Sequence, residues 1–273
     1  MSQIQAENEG LKIPYELIVR EPTEKHTATV IWLHGLGDSA EGMLPMVDVL
    51  RGFSGVEHVK IIMPTANRMA VIGAFGEVMN SWFNCFSFEY ETRKEDEAGL
   101  LLAADLLNDV VKKEQTDYGI PPHRIAIGGI SQGSAASIFI ALTTPTPLAG
   151  LFVMAGYVPL RHRVKEFATP HASSLPIFWG HGAKDPRLQI PFTKATAKQL
   201  AVDLGVPFFL SNEAGQLDPS DITAGKGEVR LIIYDDLGHW MSELEMVDLH
   251  AWLGKVLPKE ETDKDSTTAA NVN

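Results

Sequence analysis

The chain has a single cysteine in 273 residues, Cys85, so it can form no internal disulfide and build no thiolate metal site. It is also short of cations: 23 Lys and Arg stand against 35 Asp and Glu, a formal net charge of −12. Nucleic-acid binding rests on neutralised phosphates, so that deficit excludes nucleic acid as an expected partner. It equally disfavours adhesion to anionic membranes beyond transient contact. The one basic cluster, Arg161, His162, Arg163 and Lys165, reads as a solvated helix face. No apolar run reaches the ~20 residues needed to span a bilayer. Met1 to Glu7 lacks both the basic flank and the apolar stretch of a signal peptide. A cytoplasmic protein is the expectation.

What is present is an alternation of short β-branched runs with amphipathic stretches. Strands are predicted at Tyr15–Arg20, Thr29–Leu33, Val59–Met63, Arg124–Ile127, Gly150–Met154, Pro176–Trp179 and Val229–Tyr234. Helices are predicted at Gly42–Leu50, Glu95–Tyr118, Gly133–Leu142, Phe192–Leu204 and Ser242–Val256. The order implies an α/β fold, a mostly parallel central sheet flanked by helices on both faces, in one domain over residues 1–257. Residues 258–273 are charged and Thr-rich, and read as a disordered tail. Two irregular segments interrupt the pattern. Residues 65–93 leave the carboxyl end of a strand, the edge where such sheets bind ligands, and could form a lid or acyl pocket. Residues 211–228 precede the last strand and read as a flexible insertion rooted at the opposite edge.

The chemistry concentrates at Gly129-Ile130-Ser131-Gln132-Gly133, which joins a predicted strand directly to a predicted helix. A serine on so sharp a turn needs glycines two positions either side, and the following helix start supplies free N–H groups. This is the nucleophile elbow of α/β-hydrolases. The hydroxyl then needs a base, and the base an acid, in the chain order serine, acid, histidine. Of the downstream histidines, His162 and His171 fall in a polar connection, His181 precedes the best acid and His250 belongs to the last helix. His239 follows the last strand and is the expected base. Asp185, just past Trp179-Gly180-His181-Gly182, is the expected acid, with Asp235 and Asp236 as competitors too near the base in sequence. The oxyanion needs N–H donors, each worth roughly 3–4 kcal/mol. Gln132 N–H and Leu36 N–H, in the loop His34-Gly35-Leu36-Gly37-Asp38, are the candidates. No His-Glu-x-x-His pattern or phosphate-loop lysine is present, and no metal or cofactor site is predicted.

The His34–Asp38 loop, Ser81-Trp82-Phe83, the Ser131 elbow, Asp185-Pro186 and His239 together resemble the acyl-protein thioesterase family, within the phospholipase/carboxylesterase group of small α/β-hydrolases. The resemblance runs from about Ala28 to about Leu257. It implies a cofactor-free serine esterase that removes palmitoyl groups from protein thioesters, with Ser131, Asp185 and His239 as catalytic residues and Leu36 and Gln132 as oxyanion donors. Trp82, Phe83, Leu188 and Trp240 are the candidate substrate-pocket residues. The chain departs from the family pattern at Asn84, usually Asp, at Ser134, usually Gly, and at the bulky Trp240. A carboxylesterase or lysophospholipase acting on small or lipid esters is the alternative, and a non-catalytic binding module is a remote one.

Overall fold

The computed structural model describes residues 16–260. Strands β1 (Glu16–Arg20) and β2 (Ala28–Leu33) lead to helix α1 (Ala40–Arg51), strand β3 (Val59–Thr65) and a hairpin of β4 (Arg68–Val71) and β5 (Glu77–Asn80). Helix α2 (Glu97–Tyr118), strand β6 (Ile125–Ile130), helix α3 (Gln132–Thr143) and strand β7 (Gly150–Met154) follow. The short α4 (Val164–Phe167), β8 (Pro176–Gly182), α5 (Ile190–Leu204), β9 (Phe208–Ser211), β10 (Glu228–Tyr234) and α6 (Glu243–Val256) complete the described chain.

Eight strands form one sheet in the order β1-β3-β2-β6-β7-β8-β10-β9. Only β1 runs antiparallel, pairing with β3. Alternation along each strand divides the core between the two faces. Ile31, Leu33, Ile125 and Ile127 meet Leu100 and Leu107 of α2, the apolar side of α3 and Leu200 of α5. Val30, Trp32, Ile61 and Met63 meet Met43 and Val47 of α1 and Met246, Leu249 and Trp252 of α6. Helices therefore cover both faces, as expected. Helix α3 is buried from Gln132 to Leu142, so it has no polar stripe and follows the central strand directly. Among the described residues no helix is long and apolar enough to cross a membrane.

Three expectations need correction. Residues 65–93 are not wholly irregular, because Arg68–Val71 and Glu77–Asn80 pair as an antiparallel hairpin capped by a turn at Ile72–Ala74. The segment 211–228 leaves the carboxyl end of β9, which is parallel to β10, and so crosses from the ligand-binding edge to the other edge. It is also pinned rather than loose: Gly215 and Leu217 N–H groups donate to the two Asp248 carboxylate oxygens at 2.7 and 3.0 Å, and Ile222 is buried. Of the predicted tail, Pro258 is tied down by Arg124 Nη1 donating to its carbonyl at 2.7 Å. Residues 261–273 lie outside the described residues.

Candidate active site

Strand β6 ends at Ile130 and α3 begins at Gln132, so Ser131 alone makes the turn, at φ 53° and ψ −115°. That positive φ is costly for a residue with a Cβ, and it is held by Ser131 N–H donating to the Met154 carbonyl at 2.9 Å. The flanking glycines have a steric cause. A Cβ on Gly129 would sit 2.3 Å from the Leu33 carbonyl oxygen, and one on Gly133 would sit 2.4 Å from the same atom. The end of β2 passes that close to the elbow. Ser134 fills the place of a family glycine with a knot of its own. Its Oγ donates to the Gly129 carbonyl and accepts from Met154 N–H at 3.0 Å, stitching the elbow to β7.

Three side chains from three strand ends meet at this point. Asp185 Oδ2 accepts from His239 Nδ1 at 2.7 Å, and His239 Nε2 lies 2.8 Å from Ser131 Oγ. Because a carboxylate only accepts, the proton of a neutral His239 ring belongs on Nδ1 and Nε2 is left to accept from the serine hydroxyl. Burial of Asp185 works against its charge. The hydrogen bond from His239 and those from Leu188 and Arg187 N–H outweigh it, and hold the carboxyl below its usual range. Asp236, a competitor for the acid, is exposed and paired with Lys184 at 2.8 Å. His250 lies on α6, with Nε2 2.8 Å from the Ser54 carbonyl oxygen.

Leu36 and Gln132 line a cavity of about 540 Å³ together with Ser131, His239 and Trp240. Leu36 N–H and Gln132 N–H donate in none of the turn and loop hydrogen bonds of the described residues. The loop carrying Leu36 is braced by His34, whose Nδ1 lies 2.6 Å from the Gly35 carbonyl and whose Nε2 accepts from Ala66 N–H at 2.9 Å. Burial lowers the pKa of His34, in keeping with a neutral ring that bridges the segments at Gly35 and Ala66. The hairpin adds a second brace, with Gly37 N–H donating to the Asn80 carbonyl and Asn80 Nδ2 to that of Asp38.

Of the four pocket candidates, only Trp240 lines the cavity, at 47% exposure. Trp82 and Phe83 are buried against the elbow instead. The Trp82 indole N–H donates to the His34 carbonyl at 2.8 Å, and the Gln132 carboxamide accepts from Trp82 N–H and donates to the Phe83 carbonyl. Their aromatic character looks like an acyl wall in sequence, but it serves as a strut between the Leu36 loop and Ser131. Leu188 is also buried, and it contributes its N–H to Asp185 Oδ1 at 3.0 Å. Asn84 accepts from Ile72 N–H and donates to the Ala70 carbonyl, a pair of bonds that an aspartate could not make. His34, His181 and the side chain of Gln132 escaped sequence reasoning, because nothing in their local pattern marks what they touch.

A model of the phospholipase/carboxylesterase family matches residues 15–205. The chain belongs to that family. It is a serine hydrolase with the α/β-hydrolase fold. Among its relatives is acyl-protein thioesterase 1 of Cryptococcus neoformans, 36% identical over 239 residues, covering 86% of this chain and 95% of that protein. Acyl-protein thioesterase 1 of Mycosarcoma maydis is 33% identical over 243 residues, covering 86% and 94%. The crystal structure of Arabidopsis thaliana SOBER1 superposes with a TM-score of 0.71 at 25% identity, covering 85% of this chain and 99% of that one.

Proposed function

We propose that the protein hydrolyses acyl thioesters and esters through an acyl-enzyme on Ser131, with acylated proteins as its principal substrates. The observation that carries this is the unbroken hydrogen-bonded line from Ser131 Oγ through His239 to Asp185. In the first step His239 Nε2 takes the serine proton while Oγ attacks the acyl carbonyl. The oxyanion that develops is met by the Leu36 and Gln132 N–H groups, and the imidazolium by ionised Asp185. His239 then returns the proton to the departing thiolate or alkoxide, leaving the acyl group on Ser131. Water, deprotonated by the same nitrogen, releases the carboxylic acid and restores the enzyme. Every proton is carried by these residues, so the proposal includes no cofactor.

The choice of acylated proteins rests on the names of the relatives, acyl-protein thioesterase 1 in two fungi. A cytoplasmic site of action is part of the same reading, in keeping with the one free thiol, Cys85. The test is covalent labelling by a fluorophosphonate, expected in the natural protein and lost in Ser131→Ala. Full labelling of the variant would overturn the assignment.

Trp240 at the cavity rim favours a second reading, a carboxylesterase for small esters. Matched thioesters and oxygen esters of increasing chain length separate the two. Activity confined to acetyl and butyryl esters selects the carboxylesterase, whereas cleavage of a palmitoylated peptide selects the thioesterase.

A further inference from the structure

The Leu36 N–H is aimed by the peptide that contains it. A trans peptide is planar, so that N–H points opposite to the Gly35 carbonyl, and whatever holds the carbonyl sets the donor. Gly35 stands against the nucleophile, since a Cβ added to it would lie 3.7 Å from Ser131 Cβ. Two groups hold its carbonyl. His34, whose Nε2 accepts from Ala66 N–H, keeps its proton on Nδ1, which lies 2.6 Å from the Gly35 oxygen. Asp38 N–H donates to the same oxygen at 3.2 Å and closes a tight turn with Leu36 and Gly37 at its corners. Gly37 has φ 80°, the left-handed third position of a type II turn.

The far half of this turn is held from another element. Asn80, the last residue of β5, accepts from Gly37 N–H at its backbone carbonyl at 2.9 Å, and its Nδ2 donates to the Asp38 carbonyl at 2.7 Å. These bonds fix the Leu36–Gly37 and Asp38–Ser39 peptides. The peptide between them carries the Asp38 N–H that closes on Gly35. One residue therefore reaches the oxyanion donor through two planar peptides. The contact is close, for a Cβ on Gly37 would lie 3.5 Å from Met79 Sδ. Met79 also lines the catalytic cavity, so the donor is supported from a wall that the substrate meets. The residue type matters: an alanine has no donor for the Asp38 carbonyl, and an aspartate would set a second acceptor against it.

We propose that Asn80 is a positioning residue for hydrolysis, which holds the Gly35–Asp38 turn closed and so keeps the Leu36 N–H aimed at the developing oxyanion. This rests on the acyl-enzyme reading of Ser131 with Leu36 as a donor, and names what holds that donor. Asn80 itself touches no reacting atom. Its effect comes from setting the donor before the charge develops, the condition under which such a hole accelerates the reaction.

The test compares Asn80→Ala and Asn80→Asp with the natural enzyme on p-nitrophenyl butyrate. Fluorophosphonate labelling carried to completion counts the working Ser131 sites. Per labelled site, kcat is expected to fall about tenfold in Asn80→Ala and further in Asn80→Asp, with KM little changed. Propyl trifluoromethyl ketone reads the hole directly, because its adduct with Ser131 places an oxyanion there. Its inhibition constant should rise by a factor similar to the loss in kcat, whereas that of propyl methyl ketone should stay near the natural value. A merely structural role would move the urea midpoint and the number of labelled sites, while kcat per site and trifluoromethyl ketone inhibition kept their natural values. That result would overturn the role of Asn80. Failure of the acyl-enzyme reading shows separately, as labelling that survives Ser131→Ala.

Discussion

His181 Nε2 stands 3.4 Å from Asp185 Oδ2, the same oxygen that accepts from His239 at 2.7 Å. The two histidines do not compete for it. His181 is fully buried, and burial lowers its pKa against the opposing pull of the Leu188 carbonyl and Asp185, so it does not bring a second charge to the carboxylate. Its Nε2–H is directed at the Leu188 carbonyl, 2.7 Å away, and Leu188 N–H in turn supports Asp185 Oδ1. His181 therefore fixes the short turn that aims Asp185.

That role predicts a split between variants. His181→Phe removes the donor to Leu188 and should lower kcat by up to ~10²-fold with KM little changed, as expected when a catalytic group is misplaced by about an ångström. His181→Gln keeps an N–H donor and should recover most of the loss. A merely structural role would move the denaturation midpoint of both variants equally and leave their kcat values alike.

Asp185 links the same geometry to acid stability. Its folded pKa lies below the ordinary carboxylate value of about 4. Between the folded and ordinary values the unfolded chain binds more protons, so stability rises with pH across that window. The contribution is complete above the ordinary value and is lost as pH falls through the folded one. Asp185→Asn removes this titration and should flatten the acid limb of the urea midpoint against pH. An unchanged limb would contradict the assignment.

Ser134 offers a test of the elbow itself. Its hydroxyl serves the Gly129 carbonyl and Met154 N–H together, both in the buried core. Ser134→Ala leaves them without that partner, and the expected loss is about 1–3 kcal/mol in urea unfolding. Fluorophosphonate should also label Ser131 more slowly, because the strained turn loses a support. A variant with natural stability would show that the Ser131 turn is held by the Met154 carbonyl alone.

The buried strands and the residues Ser131, Asp185 and His239 could be read along the chain because each depends on local pattern. Buried parallel strands announce themselves as β-branched runs, and a strand-to-helix serine has few alternatives. The hairpin at residues 68–80 and the edge strand Phe208–Ser211 did not announce themselves. They are four residues long, with half of their residues exposed, so no apolar periodicity marks them. Missing Phe208–Ser211 in turn put the root of the 211–228 segment at the wrong sheet edge. Trp82 and Phe83 show a different limit: an aromatic pair beside an active site can line it or support it from behind, and composition does not distinguish these. Arg93 closes the segment 65–93, and nothing in its charged neighbours marks it in sequence. Only the fold brings Tyr157 over it.

Glu245 gives the strongest pH prediction. It is fully buried at the start of α6, where it completes a capping box with Ser242. Burial pushes its carboxyl up to about 8, with Asp248 adding to the rise and the Ser242 N–H opposing it. Here the sign is the reverse of that for Asp185. The folded state holds the proton that the unfolded chain releases near pH 4.5, so stability falls as pH rises from there toward about 8. Its Oε1 is buried with no partner and would lie 2.0 Å from a Cβ on Gly180, which explains the glycine in the middle of β8. Glu245→Gln keeps the capping geometry without the charge. It should raise the melting temperature at pH 8 by several degrees, with the gap closing near pH 5. Equal gains at both pH values would mean that packing, and not ionisation, limits this site.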